Sequence, residues 1–192
     1  MKNIYIIAGP NGAGKTTASY TILPEIFKCD EFVNADEIAR GLSPFSPDDV
    51  ALQSGRMMLL RISELLKNNK SFAIETTLST KSYTSLIRKA KNQGYKITLL
   101  FLSLNSIELA INRVSVRVKE GGHNIPKNVI RRRFTKGLKN LFNLYIPIVD
   151  RWLLINNSDR KFKTIAQGSI GGTIFVTNES VWQQLKKTYD DN

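Results

Sequence analysis

Five short apolar runs, at residues 4–8, 32–34, 72–75, 97–104 and 152–156, carry too few polar positions for strands with one wet face. They predict strands buried on both sides. The stretches between them, 15–22, 47–66, 80–92 and 106–119, have helical character, and a short helix opens at Glu37. In the 47–66 stretch apolar residues recur at Leu52, Leu59, Ile62 and Leu66, with Asp48 and Asp49 favouring the first turn. Strands alternating with helices predict an α/β fold whose mostly parallel sheet of five strands has helices on both faces. Ligands bind such sheets at the carboxyl ends of their strands.

A further helix is expected to start with Pro126 and run to about residue 144, stopped before Pro147. Beyond residue 156 the pattern changes. A polar turn, apolar runs at 164–166 and 173–177 around Gly168, Gly171 and Gly172, and the stretch 179–187 predict a β-hairpin followed by a short helix. The organisation expected is a core at 1–156 with a helical lid at about 113–139. The hairpin and helix at 157–192 would be an appendage of the same domain.

Directly after the first apolar run comes Gly9-Pro10-Asn11-Gly12-Ala13-Gly14-Lys15-Thr16, the G-x-x-x-x-G-K-[ST] phosphate-binding loop in the strand-to-helix setting that it requires. Its glycines let several backbone N–H groups converge on one anion, and the helix after it adds its positive end. This makes Gly9, Asn11, Gly12, Ala13, Gly14, Lys15, Thr16 and Thr17 the expected nucleotide-binding residues. Lys15 would reach the β- and γ-phosphates, and Thr16 would ligate Mg²⁺. A nucleoside triphosphate, ATP or GTP, is the implied cofactor, and the fold is that of P-loop NTPases and kinases.

Composition narrows the field. The chain has 192 residues, no apolar stretch of the length a membrane span needs, and a net charge of +12, which favours anionic partners. A cytoplasmic protein without membrane attachment is expected. A single cysteine, Cys29, cannot close an internal disulfide, and the single histidine, His123, excludes a His-rich metal site. The positive charge concentrates between Arg113 and Lys139, where nine basic residues face one acid, Glu120.

Asp36 follows the second strand, where a carboxylate could accept a hydroxyl proton or cap the next helix. Glu75 ends the third strand, in the arrangement that holds Mg²⁺ or its water. Thr76 and Thr77 beside it can donate to a substrate or close the following turn. Arg113, Arg117, Arg131, Arg132 and Arg133 are candidates for stabilising a moving phosphoryl group, with Gly121-Gly122 as a flexible turn between the two clusters.

With Gly9 to Thr16, Phe32-Val-Asn-Ala-Asp36, Glu75-Thr76-Thr77, Arg113-Val-x-x-Arg117, Gly121-Gly-His-x-Ile-Pro126 and Arg131-Arg-Arg-Phe134 in this order, the chain resembles the zeta-toxin family of P-loop kinases, in its compact branch of predicted ATPases. The resemblance covers roughly residues 4–156. It implies that Asp36 is the catalytic base and that lid arginines, Arg117 with Arg132 or Arg133, stabilise the transferred group while Lys15 holds it. It implies an acceptor bound by Asp36, Glu75, Thr76 and Thr77, with Thr16 and Glu75 at the metal. The reaction it implies moves the γ-phosphoryl group to a hydroxyl of a small acceptor, such as the UDP-sugar UDP-N-acetylglucosamine, and the partner it implies is an antitoxin protein. Two alternatives use the same core: a kinase acting on nucleic-acid ends, and a nucleotide-dependent switch or nucleic-acid-binding ATPase that phosphorylates nothing.

Overall fold

The computed structural model describes residues 1–122 and 124–191; His123, in the Gly-Gly-His run, lies outside them. Seven strands form one sheet in the order β2-β3-β1-β4-β5-β6-β7. The first five, β1 (Asn3–Ala8), β2 (Phe32–Val33), β3 (Phe72–Thr76), β4 (Lys96–Ser103) and β5 (Arg151–Asn156), are parallel. The sheet is therefore larger than the five strands expected from the apolar runs. The C-terminal hairpin strands, β6 (Lys163–Ser169) and β7 (Phe175–Val176), do not stand apart but continue the sheet antiparallel from β5. Pairing of β6 to β5 satisfies a backbone edge that would otherwise be left open.

The helices are α1 (Lys15–Glu25), α2 (Ala35–Leu42), α3 (Ala51–Lys67), α4 (Tyr83–Asn92), α5 (Ile107–Lys119), α6 (Lys127–Asn140) and α7 (Glu179–Tyr189). Residues 47–50 form a separate 3₁₀ turn before α3, and 141–145 a π-turn after α6, where continuous helices were expected. On α3 the stripe that packs on the core is Met58, Ile62, Leu65 and Leu66. Leu52 and Leu59, expected on that stripe, are 73% and 59% exposed, because at 100° per residue they are turned roughly 100–140° around the helix from Met58 and Leu65. Trp182 of α7 stacks on Trp152 of β5 with ring centroids 5.6 Å apart, which fastens the C-terminal helix to the sheet. No helix among the described residues is long and apolar enough to cross a membrane.

The centre of the sheet is continuous apolar side chain: Ile4, Ile6 and Ile7 of β1 lie against Phe72 and Ile74 of β3 and Ile97 and Leu99 of β4, all essentially inaccessible. The carboxyl ends of β1, β2 and β3 are aligned by the register Ile7 to Glu75 and Val33 to Ile74. That alignment brings the phosphate loop, Asn34 and Glu75 to one edge.

Candidate active site

Gly9 follows β1 with φ of 143°, and a Cβ there would lie 2.2 Å from the Leu102 carbonyl oxygen of β4. A side chain is excluded, so the loop can leave the sheet only through glycine. At its far end Gly14 adopts the left-handed conformation, and no side chain caps α1. The first N–H groups of α1 are thus left to an anion. Lys15 is buried, donates to the Pro10 carbonyl at 3.1 Å and lies 3.7 Å from a Glu75 carboxylate oxygen. Burial pushes its pKa down; Glu75 and Asp36 oppose that, while Arg117 and Arg133 add to it. An arriving triphosphate relieves this crowding of positive charge.

Glu75 is the hub of the site. One of its oxygens accepts both the Thr16 hydroxyl at 2.8 Å and the Asn34 side-chain amide at 2.9 Å. Burial raises its pKa, and Lys15 and the Thr16 hydroxyl pull it back. A hydroxyl beside a carboxylate is a hard oxygen donor set that fits Mg²⁺, which takes few protein ligands and completes its shell with water and phosphate. Thr16 and Glu75 would hold it. Among the described residues no group of three or more His, Cys, Asp or Glu gathers as a metal cage. Thr76 and Thr77 lie beside Glu75 but spend their hydroxyls locally: Thr76 accepts from the Leu78 N–H at 3.1 Å, and Thr77 pairs with Ser79 at 2.9 Å.

Asn34, which sequence reasoning left without a role, settles what Asp36 does not do. Its side chain accepts the Asp36 N–H at 2.9 Å and so caps α2, while its amide holds Glu75. Asn is a preferred N-cap residue, and its position before Ala-Asp-Glu was the available signal. The Asp36 carboxylate is consequently not the cap. It is exposed and lines a cleft of about 1260 Å³ with Lys15, Thr16, Thr17, Glu75 and Arg117.

The arginines divide by what they touch. Arg113 is fixed: it donates to the carbonyl oxygens of Gly12 at 3.3 Å, Asn157 at 2.9 Å and Ser158 at 2.6 Å. Beside it Asn157, buried, donates to the Ala13 carbonyl at 2.8 Å. The two side chains brace the phosphate loop against α5 and the end of β5, so Arg113 is a strut for the loop. Arg113→Ala is expected to weaken ATP binding about tenfold, about 1.4 kcal/mol, read by calorimetry. Arg113→Lys should not rescue it, since one ammonium cannot span three carbonyls as the planar fork does. Wild-type affinity in both variants would dismiss the strut.

Arg117 lines the cleft on the last turn of α5. The helix ends there in a Schellman turn, with the Gly122 N–H on the Arg117 carbonyl at 2.8 Å and the Gly121 N–H on that of Val118 at 3.1 Å. A Cβ at Gly122 would come within 2.6 Å of Arg117 Cγ, so glycine at this position lets the chain close over the arginine. The Gly-Gly pair, expected as a flexible turn, is thus a hydrogen-bonded helix stop. From α6, Arg133 reaches across to Asn11 of the phosphate loop at 3.5 Å. Arg132, one residue earlier, is exposed and is not among the residues lining the cleft; Arg131 pairs with Glu108 at 3.1 Å.

A family model described as Zeta toxin matches residues 47–165. An uncharacterized protein of Haemophilus influenzae is 29% identical over 129 residues, 66% of this chain and 88% of that protein. Among solved structures, the AvrRxo1-ORF1:-ORF2 complex with ATP superposes with a TM-score of 0.78 at 20% identity over 96% of this chain. The chain spans 63% of the length of that protein. The PezAT chromosomal toxin-antitoxin system of Streptococcus pneumoniae gives a TM-score of 0.66 at 19% identity, covering 97% of this chain and 86% of that one. At these identities the superpositions establish the shared fold.

Proposed function

As the chain belongs to the zeta toxin family of P-loop kinases, we propose that it transfers the γ-phosphoryl group of ATP to a hydroxyl of a small acceptor, with Mg²⁺. The observation that carries this reading is the division of labour between Asn34 and Asp36. With the helix capped by Asn34, the Asp36 carboxylate faces the cleft on which the phosphate loop opens and is free to take a proton. Lys15 and the N–H groups at the start of α1 hold the triphosphate. Bound Mg²⁺ would neutralise phosphate charge between Thr16 and Glu75. Arg117, which lines the cleft from α5, and Arg133, which reaches Asn11 of the phosphate loop from α6, would stabilise the charge that spreads over the transferred group. Catalysis then consists of positioning and electrostatics around one general base.

A related fold crystallised with ATP supports ATP as the nucleotide, and PezAT supports an antitoxin partner. Use of ATP and of a soluble acceptor fits a cytoplasmic enzyme. UDP-N-acetylglucosamine is the acceptor that the family resemblance puts first for testing. The decisive experiment incubates the protein with γ-labelled ATP, Mg²⁺ and a metabolite extract. A labelled product other than inorganic phosphate is expected, and release of phosphate alone would refute the kinase reading. In the same assay Arg117→Ala and Arg133→Ala should each slow transfer by the ~2.7–4 kcal/mol typical of one lost stabilising donor, roughly 10²- to 10³-fold. Arg132→Ala, on the exposed face, should change the rate little. Equal losses at all three would mean that the basic helix acts as a general anion-binding surface.

A further inference from the structure

A second cavity, about 150 Å³, opens on the other side of Asp36, between α2, the 47–51 turn and α6. Its walls carry Asp36, Arg40, Asp48 and Arg133, and its apolar lining includes Ala39 and Ile125. Asp36 and Arg40 line the large cleft as well, and Arg133 is the side chain that reaches Asn11 of the phosphate loop. The two cavities therefore meet at the proposed base and at Arg40, while Arg133, on the wall of the smaller one, reaches the phosphate loop.

Resting on the kinase reading above, we propose that this small cavity is the acceptor site and that the acceptor is a compact hydroxylated anion, a polyol carboxylate or phosphate no larger than a single pentose. Position is the first argument. An in-line transfer needs the nucleotide and the acceptor hydroxyl on opposite sides of the moving phosphorus, both within reach of the base. With the nucleotide on the phosphate loop, the space beyond Asp36 is where the acceptor belongs. The hydroxyl proton passes to the Asp36 carboxylate as the acceptor oxygen bonds to the γ-phosphorus. The bond from that phosphorus to its bridging oxygen breaks, and ADP leaves with the electron pair.

Size is the second argument. At ~10–15 Å³ of cavity space per water, the cavity holds roughly ten waters, which suits a small polyol and is below a nucleotide sugar. Charge is the third. With Asp36 assigned to the proton and Arg133 engaged with Asn11 of the phosphate loop, Arg40 remains as the cation for the acceptor. Its present partner is Glu37 at 3.0 Å, with the two side chains 48% and 31% exposed. Such an open pair is worth little in water and yields readily to a ligand carboxylate or phosphate bound bidentately.

The test uses γ-labelled ATP and Mg²⁺ with glycerate, glycerol 3-phosphate and ribose 5-phosphate, with neutral glycerol and ribose, with UDP-N-acetylglucosamine, and with a metabolite extract. Label is expected on a compact anion with kcat/KM at least tenfold above its neutral counterpart, glycerate and glycerol 3-phosphate separating carboxylate from phosphate recognition. Arg40→Ala should erase that preference. Ala51→Phe, which fills the cavity from the exposed first residue of α3, should raise the acceptor KM at least tenfold with the affinity for a nonhydrolysable ATP analogue unchanged. Label confined to UDP-N-acetylglucosamine or to other large molecules of the extract would overturn the compact-anion proposal and leave the kinase reading standing. So would a preference for anions that survives Arg40→Ala. No labelled acceptor in any arm would remove both.

Discussion

Lys15→Ala is expected to lose triphosphate affinity at least 100-fold, about 2.7 kcal/mol, measured by calorimetric titration with a nonhydrolysable ATP analogue and Mg²⁺. Two effects point the same way. The ammonium is the loop's own side-chain charge on the phosphates, and it is also the countercharge of the buried Glu75 at 3.7 Å. Without it a carboxylate already raised by burial loses the cation that pulls its pKa back, and Glu75 stands beside the phosphates without its ammonium.

The same reasoning gives a pH signature in stability. A carboxyl whose folded pKa lies above its unfolded value binds protons more tightly in the native state, so stability falls as pH rises through that interval. Removing Lys15 raises the folded pKa of Glu75 further and widens the interval upward from the ordinary carboxylate range. The melting temperature of Lys15→Ala should therefore fall below wild type by more at pH 8 than at pH 5. Wild-type affinity in the variant would refute the phosphate-loop assignment. An equal loss of stability at both pH values would mean that Lys15 and Glu75 are not coupled.

The readability of the site in the sequence follows the range of the interactions that build it. Strands buried on both faces must be near-continuous apolar runs, so β1, β3, β4 and β5 stand out without their neighbours. The phosphate loop is legible for a similar reason, since its requirement for glycine is local. The antiparallel attachment of β6 is not legible, because an edge accepts whichever strand the chain brings to it. Nor is the true buried face of α3: Leu52 and Leu59 are as apolar as Met58 and Leu65, and only the packing partner decides between the two sides.

Among the polar residues, type was readable and destination was not. Arg113 and Arg117 share a helix and a spacing that suggested a common lid. In the folded chain Arg113 ends on three backbone carbonyls and Arg117 in the cleft. Asn157 looked like part of a turn, and its contact with Ala13 spans 144 residues. Asp36 was ambiguous between cap and base because both roles use the same carboxylate at the same strand end. Its neighbour two residues earlier, whose side chain takes the capping bond, removes the first of these roles.

Asp36→Asn is the substitution that separates chemistry from architecture. The amide is nearly isosteric, and with Asn34 as the cap of α2 the carboxylate contributes to the helix only one of two first-turn charges. Thermal stability should change little, and affinity for the ATP analogue should stay near wild type or improve slightly, since a negative charge leaves the neighbourhood of the triphosphate. Phosphoryl transfer should fall 10²-fold or more, the scale of a positioned general base. The loss should appear in kcat at saturating acceptor, because an amide can still hydrogen-bond the acceptor hydroxyl but cannot take its proton. A variant that melts lower yet transfers at the wild-type rate would make Asp36 a structural residue. Glu75 would then be the next candidate for the base, at the expense of its place beside Thr16.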